Sequence, residues 1–272
     1  MKTKLITFLL TLIFSSIGLE VNGQTRYPIH ARLSMNQRVF EPPTTTISLQ
    51  ELKFKGQTSH SLGFGIGLDF GLNELDKTAT NWMIATSMNV FSVPLKYSAT
   101  LPKDIHGFDR DASWEFKRFS SGFEAALGLV RESKLNEKWV LRLGIAANIQ
   151  DMYFNSSKLQ HTVNVTRDGL HHTQQVFGVE FDPGFGFGFT PSPRKKQDLK
   201  FNAVYSVGVT ADINANRQFV AEIKVCQSGQ NVVQPLNFLL GGTGDFIFKK
   251  SYVGIDLAYR FSLNPRLSSR VK

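Results

Sequence analysis

Nine ionisable residues stand inside runs of apolar alternation rather than in polar loops: Asp69, Glu124, Arg142, Glu180, Asp182, Glu222, Lys224, Asp256 and Arg260. Carboxylates placed among arginines and a lysine, away from bulk water, must be paired or hydrated. Their chemistry is therefore either a closed ionic network or the charged lining of a narrow wet passage. Other reactive residues carry weaker signals. His171 and His172 are adjacent, but Asp168 is the sole nearby acid and no cysteine is near, so a solvated turn pair outweighs a metal site. The repeated glycines at 63–65 and 184–188 sit within strand-like alternation, not between a strand and a helix, and do not form a nucleotide loop. His161 and scattered Ser and Thr fix no nucleophile–base pair, so an enzyme is not expected, nor is any cofactor.

Side chains alternate faces along a strand, and that period positions the nine charges. The strongest alternation is at 177–189. Phe177, Val179, Phe181, Pro183, Phe185, Phe187 and Phe189 share one face; Gly178, Glu180, Asp182, Gly184, Gly186 and Gly188 share the other. An apolar outside with a small, polar inside is the pattern of a transmembrane β-barrel strand. Residues 62–71 repeat it, with Leu62, Phe64, Ile66, Leu68 and Phe70 opposed to Gly63, Gly65, Gly67, Asp69 and Gly71. Runs at 82–90, 119–129, 139–149, 201–213, 219–225 and 252–261 alternate likewise, and those at 27–35, 45–54, 159–166 and 236–248 do so weakly. Bacterial single-chain barrels have even strand numbers. These twelve runs predict an all-β, transmembrane, antiparallel up-and-down barrel of ten strands, with twelve or eight allowed. Trp82, Trp139, Tyr153, Tyr205 and Tyr259 fall at run ends or on the outward face, as interfacial aromatic girdles require.

The amino terminus sets the compartment. A basic start, an apolar stretch diluted by Thr and Ser, and small or apolar residues at Val21 and Gly23 predict a signal peptide over 1–23. Residues 24–44 then form an arm or a short first strand, 45–261 the barrel, and 262–272 a polar tail. The one cysteine, Cys226, cannot make an intramolecular disulfide, which suits an exported fold held by backbone pairing. Removing Lys2, Lys4 and Glu20 takes the formal charge from +9 to +8. Export argues against nucleic acid as the partner of that charge. Arg194, Lys195 and Lys196 suit lipopolysaccharide phosphates if they lie outside the cell.

At Tyr252, Gly254, Leu257, Tyr259 and Phe261 the last strand resembles that of small Gram-negative outer-membrane β-barrel proteins, the OmpA-type and porin-like group. The resemblance implies that these residues are a signal read by the barrel-assembly machinery. It also implies an outer-membrane location, contact with outer-membrane lipid, and room for a protein partner in a membrane complex. The family usually ends at the aromatic residue, whereas this chain continues to residue 272. The expected role is structural or interactive, with loops as the binding surface over a charged, largely plugged lumen. The alternatives are a narrow porin or transporter, a component of an export or assembly complex, a lipid-modifying barrel enzyme, and a soluble lipocalin-like barrel with its faces reversed.

Overall fold

A computed structural model describes residues 28–46, 53–73, 80–101, 112–154, 160–167, 170–177, 181–182, 187–189, 200–214, 216–238 and 243–263. These residues form sixteen strands: β1 (Ile29–Phe40), β2 (Thr44–Thr45), β3 (Lys53–Gly56), β4 (Ser59–Gly71), β5 (Thr80–Leu101), β6 (Ala112–Lys134), β7 (Trp139–Phe154), β8 (Gln160–Arg167), β9 (Leu170–Phe177), β10 (Phe181–Asp182), β11 (Phe187–Phe189), β12 (Asn202–Asn214), β13 (Arg217–Gln227), β14 (Asn231–Phe238), β15 (Thr243–Lys249) and β16 (Tyr252–Ser262).

Eight of them close a barrel. Its antiparallel order is β1-β4-β5-β6-β7-β12-β13-β16, and β16 returns to β1 through eleven paired residues from His30↔Ser262 to Phe40↔Tyr252. Closure leaves no edge strand in the wall, so every stave has a ladder on both sides. The polar first run is thus a stave of twelve residues: Arg32, Asn36 and Arg38 face inward, and Leu33, Met35 and Val39 face out.

The two ends of the cylinder differ. The ring starts at Ile29 and finishes at Ser262 on the same end, where the connections 72–79, 135–138 and 215–216 are short. The second of these is an Asn-capped turn: the Asn136 side-chain carbonyl accepts from the backbone N–H groups of Lys138 and Trp139, both at 2.9 Å. At the far end the connections 41–58, 102–111, 155–201 and 228–251 are long. There β5 and β6 run past the rim still paired, to Leu101↔Ala112. β3 adds to the overhang of β5, and β8 with β9 to that of β6. A second sheet, β10-β11-β14-β15-β2, lies outside the ring. Phe246 and Phe248 of β15 pack against Tyr97 of the overhang and Phe40 of β1, with ring centroids 5.2 and 5.4 Å apart. Val93 and Leu95 are fully buried beside them on the inward parity of β5. An apolar cap therefore covers the far mouth of the barrel.

The barrel has eight staves, not ten. The described residues of the runs at 45–54, 159–166 and 236–248 belong to overhang or outer-sheet strands, and so do those of the strongest run, 177–189. Its described residues divide among the end of β9, β10 and β11, none of them in the wall. The reason is topological. β7 pairs directly with β12, from Asn148↔Asn202 to Trp139↔Ala211, so none of the described residues between 154 and 202 enters the ring. Alternation shows that a strand has two unlike faces; it does not say which sheet takes it.

The faces of the eight staves follow the sequence parity. Large apolar side chains stand exposed around the wall, among them Leu33, Phe64, Ile145, Val207, Ile223 and Ile255. Trp82, Trp139, Phe219 and Tyr259 are exposed at the short-turn end, with Phe219 directly opposite Tyr259. Tyr205 is also exposed on the outer wall; the side chain of Tyr153 lies outside the described residues. Charges inside and apolar groups outside are the reverse of a soluble ligand-binding barrel. An exposed apolar surface of this extent needs an apolar neighbour.

Candidate functional site in the barrel lumen

Even-numbered residues of β1, β6, β7, β12, β13 and β16 and odd-numbered residues of β4 and β5 point into the lumen, and this parity collects the charges. Five carboxylates (Asp69, Glu124, Glu132, Glu222, Asp256) meet five cations (Arg32, Arg38, Arg142, Lys224, Arg260), so the described interior is formally neutral. All ten are buried except Lys224, whose side chain is 13% exposed.

Arg142 is the hub of the lower half. Its guanidinium is fully buried and donates to Glu222 at 2.5 Å, Glu132 at 2.7 Å and Asp69 at 3.0 Å. Arg260 grips Glu132 through two nitrogens, at 2.7 and 3.1 Å, reaches Asp69 at 3.3 Å, and donates through Nε to Gln218 at 2.6 Å. β16 and β6 stand opposite one another in the ring, so this two-pronged pair spans the full width of the lumen. Arg32 reaches Glu222 at 3.4 Å, and Lys224 joins Glu222 to Asp256. Planar, multidentate arginines suit such a site because each satisfies several carboxylates at once.

Glu124 is the hub of the upper half. It accepts from Arg38 at 2.9 Å, Asn89 at 3.2 Å, Asn148 at 2.8 Å, Gln150 at 3.0 Å and the Tyr252 hydroxyl at 2.9 Å. The Arg38 guanidinium lies 4.2 Å from the ring centroid of Phe91 and 4.8 Å from that of Tyr252, a cation held between aromatic faces. Phe40, Phe91 and Tyr252 then continue upward into the apolar cap. Lys250, between β15 and β16, donates to the Gln150 carbonyl at 3.2 Å, and burial holds its ammonium below the usual lysine range.

Inward glycines make these contacts possible. A Cβ at Gly122 would collide with the Phe91 ring, and one at Gly65 with the Asn89 and Ser34 side chains. Gly122→Val should therefore overpack the upper lumen and cost about 1–3 kcal/mol. Urea unfolding in detergent micelles measures it; an unchanged midpoint would show that Phe91 does not lie on Gly122.

Seven of the nine charges singled out in the sequence come together here: Asp69, Glu124, Arg142, Glu222, Lys224, Asp256 and Arg260. Asp182 does not. It is in β10, paired with Phe187 in the outer sheet, because the 177–189 run never enters the wall. Glu180 lies outside the described residues, as do residues 1–27, Arg194, Lys195, Lys196 and residues 264–272. His171 and His172 belong to β9, opposite Thr166 and Val165. Three members escaped the sequence reading. Arg32 and Arg38 sit in a run too polar to read as a firm stave, and Glu132 lies next to a turn. Arg32 and Arg38 share the polar parity of their run and Glu132 that of Glu124, and extending parity to the strand ends finds all three.

The suggested assembly residues occupy both faces of β16. Tyr252 and Gly254 point inward, where Tyr252 holds Glu124 and a Cβ on Gly254 would meet the Gln37 carbonyl at 2.8 Å. Leu257 and Tyr259 are exposed on the wall, and Phe261 pairs with Ala31 and Arg217. A cavity of about 40 Å³ remains between the two hubs, walled on one side by Ala85, Ala126, Gly128, Gly144 and Ala146. That is space for a few waters.

No protein-family model matches the chain, and no curated protein matches it. Similar solved structures include the outer membrane protein OprG from Pseudomonas aeruginosa, at 13% identity over 86% of this chain and 95% of that one, with a TM-score of 0.45. The attachment invasion locus protein Ail of Yersinia pestis is similar at 11% identity over 86% and 98%, TM-score 0.29. Neisserial surface protein A is similar at 10% over 87% and 99%, TM-score 0.29. Overlaps this partial add nothing to the barrel, which stands on the chain's own ladders.

Proposed function

We propose that this chain is an outer-membrane β-barrel protein of a Gram-negative bacterium with a structural or interaction role, its capped far end serving as the binding surface and its lumen sealed. The observation that carries the reading is the inverted distribution of polarity: ten interlocked charges inside the ring and an apolar wall outside it. From Phe201, just before β12, to Ala211 within it, the chain takes ten strand steps, which rise about 25 Å at barrel tilt and match the apolar band of such proteins. Short turns and both ring ends on one side, with long loops on the other, fit periplasmic and extracellular faces respectively.

A sealed lumen is favoured over a porin because side-chain contacts cross the ring at two heights, the Arg260–Glu132 ion pair below and the Tyr252–Glu124 hydrogen bond above, and eight staves leave little more than side-chain room. A catalytic lumen is disfavoured for a related reason. Glu124 already accepts from five donors, and Arg142, Arg260 and Lys224 engage the other buried acids, so none of these groups is poised for substrate. On this reading Tyr252, Gly254, Leu257, Tyr259 and Phe261 guide assembly, and the cap meets a partner. Planar-bilayer recording tests the seal. The purified chain should insert without producing conductance steps. Reproducible steps would overturn the sealed lumen and establish the narrow porin, with the cavity beside Gly144 as its path.

A further inference from the structure

Lys53 and Lys55 of β3 and Lys96 of β5 are exposed on one face of the overhang. Register places them together. Lys53 opposes Thr100 and Lys55 opposes Ser98, and residues 96, 98 and 100 share the outward parity of β5. The opposite face carries Phe54 and Tyr97, stacked at 5.6 Å, with Tyr97 turned into the cap, which fixes the lysines outward. Lys55 and Lys96 are diagonal neighbours, about 7 Å apart at their Cβ atoms. Among the described residues, none of the three has an acidic partner, whereas Lys249 on the nearby outer sheet pairs with Glu41 at 2.7 Å. Three like charges held this close on a rigid sheet call for a polyanion.

Directly beneath them is a strongly exposed apolar part of the wall: Phe64 at 66%, Leu62 at 64% and Val90 at 59%, with Phe64 opposite Val90. Leu62 pairs with Ser92, and Lys96 lies four residues further along β5. At strand rise and barrel tilt that is about 10 Å above the apolar edge, the depth at which headgroup phosphates sit above acyl chains. Phosphate at the lysines and hydrocarbon along Phe64, Leu62 and Val90 would engage one amphiphile at both ends.

We infer that the β3–β5 overhang and the β4–β5 wall below it form a site for a phosphate-bearing outer-leaflet glycolipid of the lipopolysaccharide class, held by Lys53, Lys55 and Lys96. The inference rests on the outer-membrane reading above, since it needs the long-loop end to face the outer leaflet.

The test uses the full chain in phosphatidylcholine nanodiscs doped with bis-phosphorylated lipid A or with its dephosphorylated form. Glycolipid that stays with the barrel after detergent exchange is counted by native mass spectrometry. Each lysine near an anionic surface is worth about fivefold in partitioning, so K53Q/K55Q/K96Q should retain about a hundredfold less bis-phosphorylated lipid. The dephosphorylated form should be retained poorly by both proteins. Equal retention of the two lipids, or a triple variant that retains as the wild type does, would overturn the site. Excess inorganic phosphate that strips the lipid completely would also overturn it, because the acyl contact would then count for nothing. A chain that never enters the nanodisc would fail the outer-membrane reading itself, and the SDS mobility of the unboiled protein separates that case from the others.

Discussion

Arg142→Met should destabilise the barrel by about 3–5 kcal/mol, the range for removing one partner of a buried ion pair. The arginine is fully buried and serves Asp69, Glu132 and Glu222. Arg260 and Arg32 still touch these acids, but neither can replace three donors placed between them. The substituted side chain fills similar volume, so the loss reports charge rather than a cavity. Tryptophan fluorescence during urea unfolding in micelles reads the change. Lys249→Met removes an ion pair that is about half exposed and should cost under about 1 kcal/mol. Equal effects of the two substitutions would mean that the lumen is wet and the network contributes little.

Ile223→Arg should cost about 2–4 kcal/mol and sharply reduce folding into liposomes, because a cation at the bilayer midplane has no partner. Ile223 is exposed on the wall between Val207 and Ile255, half-way along β13. Phe201→Arg, at the upper edge of the belt, should cost about 0–1 kcal/mol, since its charge can reach the headgroups. The yield of protease-protected barrel after refolding measures both. A tolerated Ile223→Arg would place that surface in water.

Parity made the wall legible and pairing made it ambiguous. A period of two alone puts Leu33, Phe64, Ile145, Val207 and Ile255 on the outward face and Asp69, Glu124, Arg142 and Arg260 on the inward one, as the structure has them. Register follows from that period, because a one-residue slip would bury the apolar row and expose the charges. Which runs join the ring is a long-range matter. The 177–189 segment alternates best and yet stays out, because Asn202 pairs with Asn148. The run at 27–35 alternates weakly and yet closes the ring against β16. The cap was invisible for the same reason. Phe246 and Phe248 meet Tyr97 and Phe40 across about 150 to 200 residues of chain, and no local pattern marks that meeting.

The most direct measurement places nitroxide labels along β16 in nanodiscs, on a Cys226→Ala background, and compares their accessibility to oxygen with that to a water-soluble nickel chelate. Labels at Val253, Ile255 and Leu257 should be reached by oxygen and shielded from nickel, as lipid-facing sites are, and a label at Ala258 should be shielded from both. Nickel access at Ile255 together with oxygen access at Ala258 would mean that the faces are inverted, and the apolar wall would then be a core.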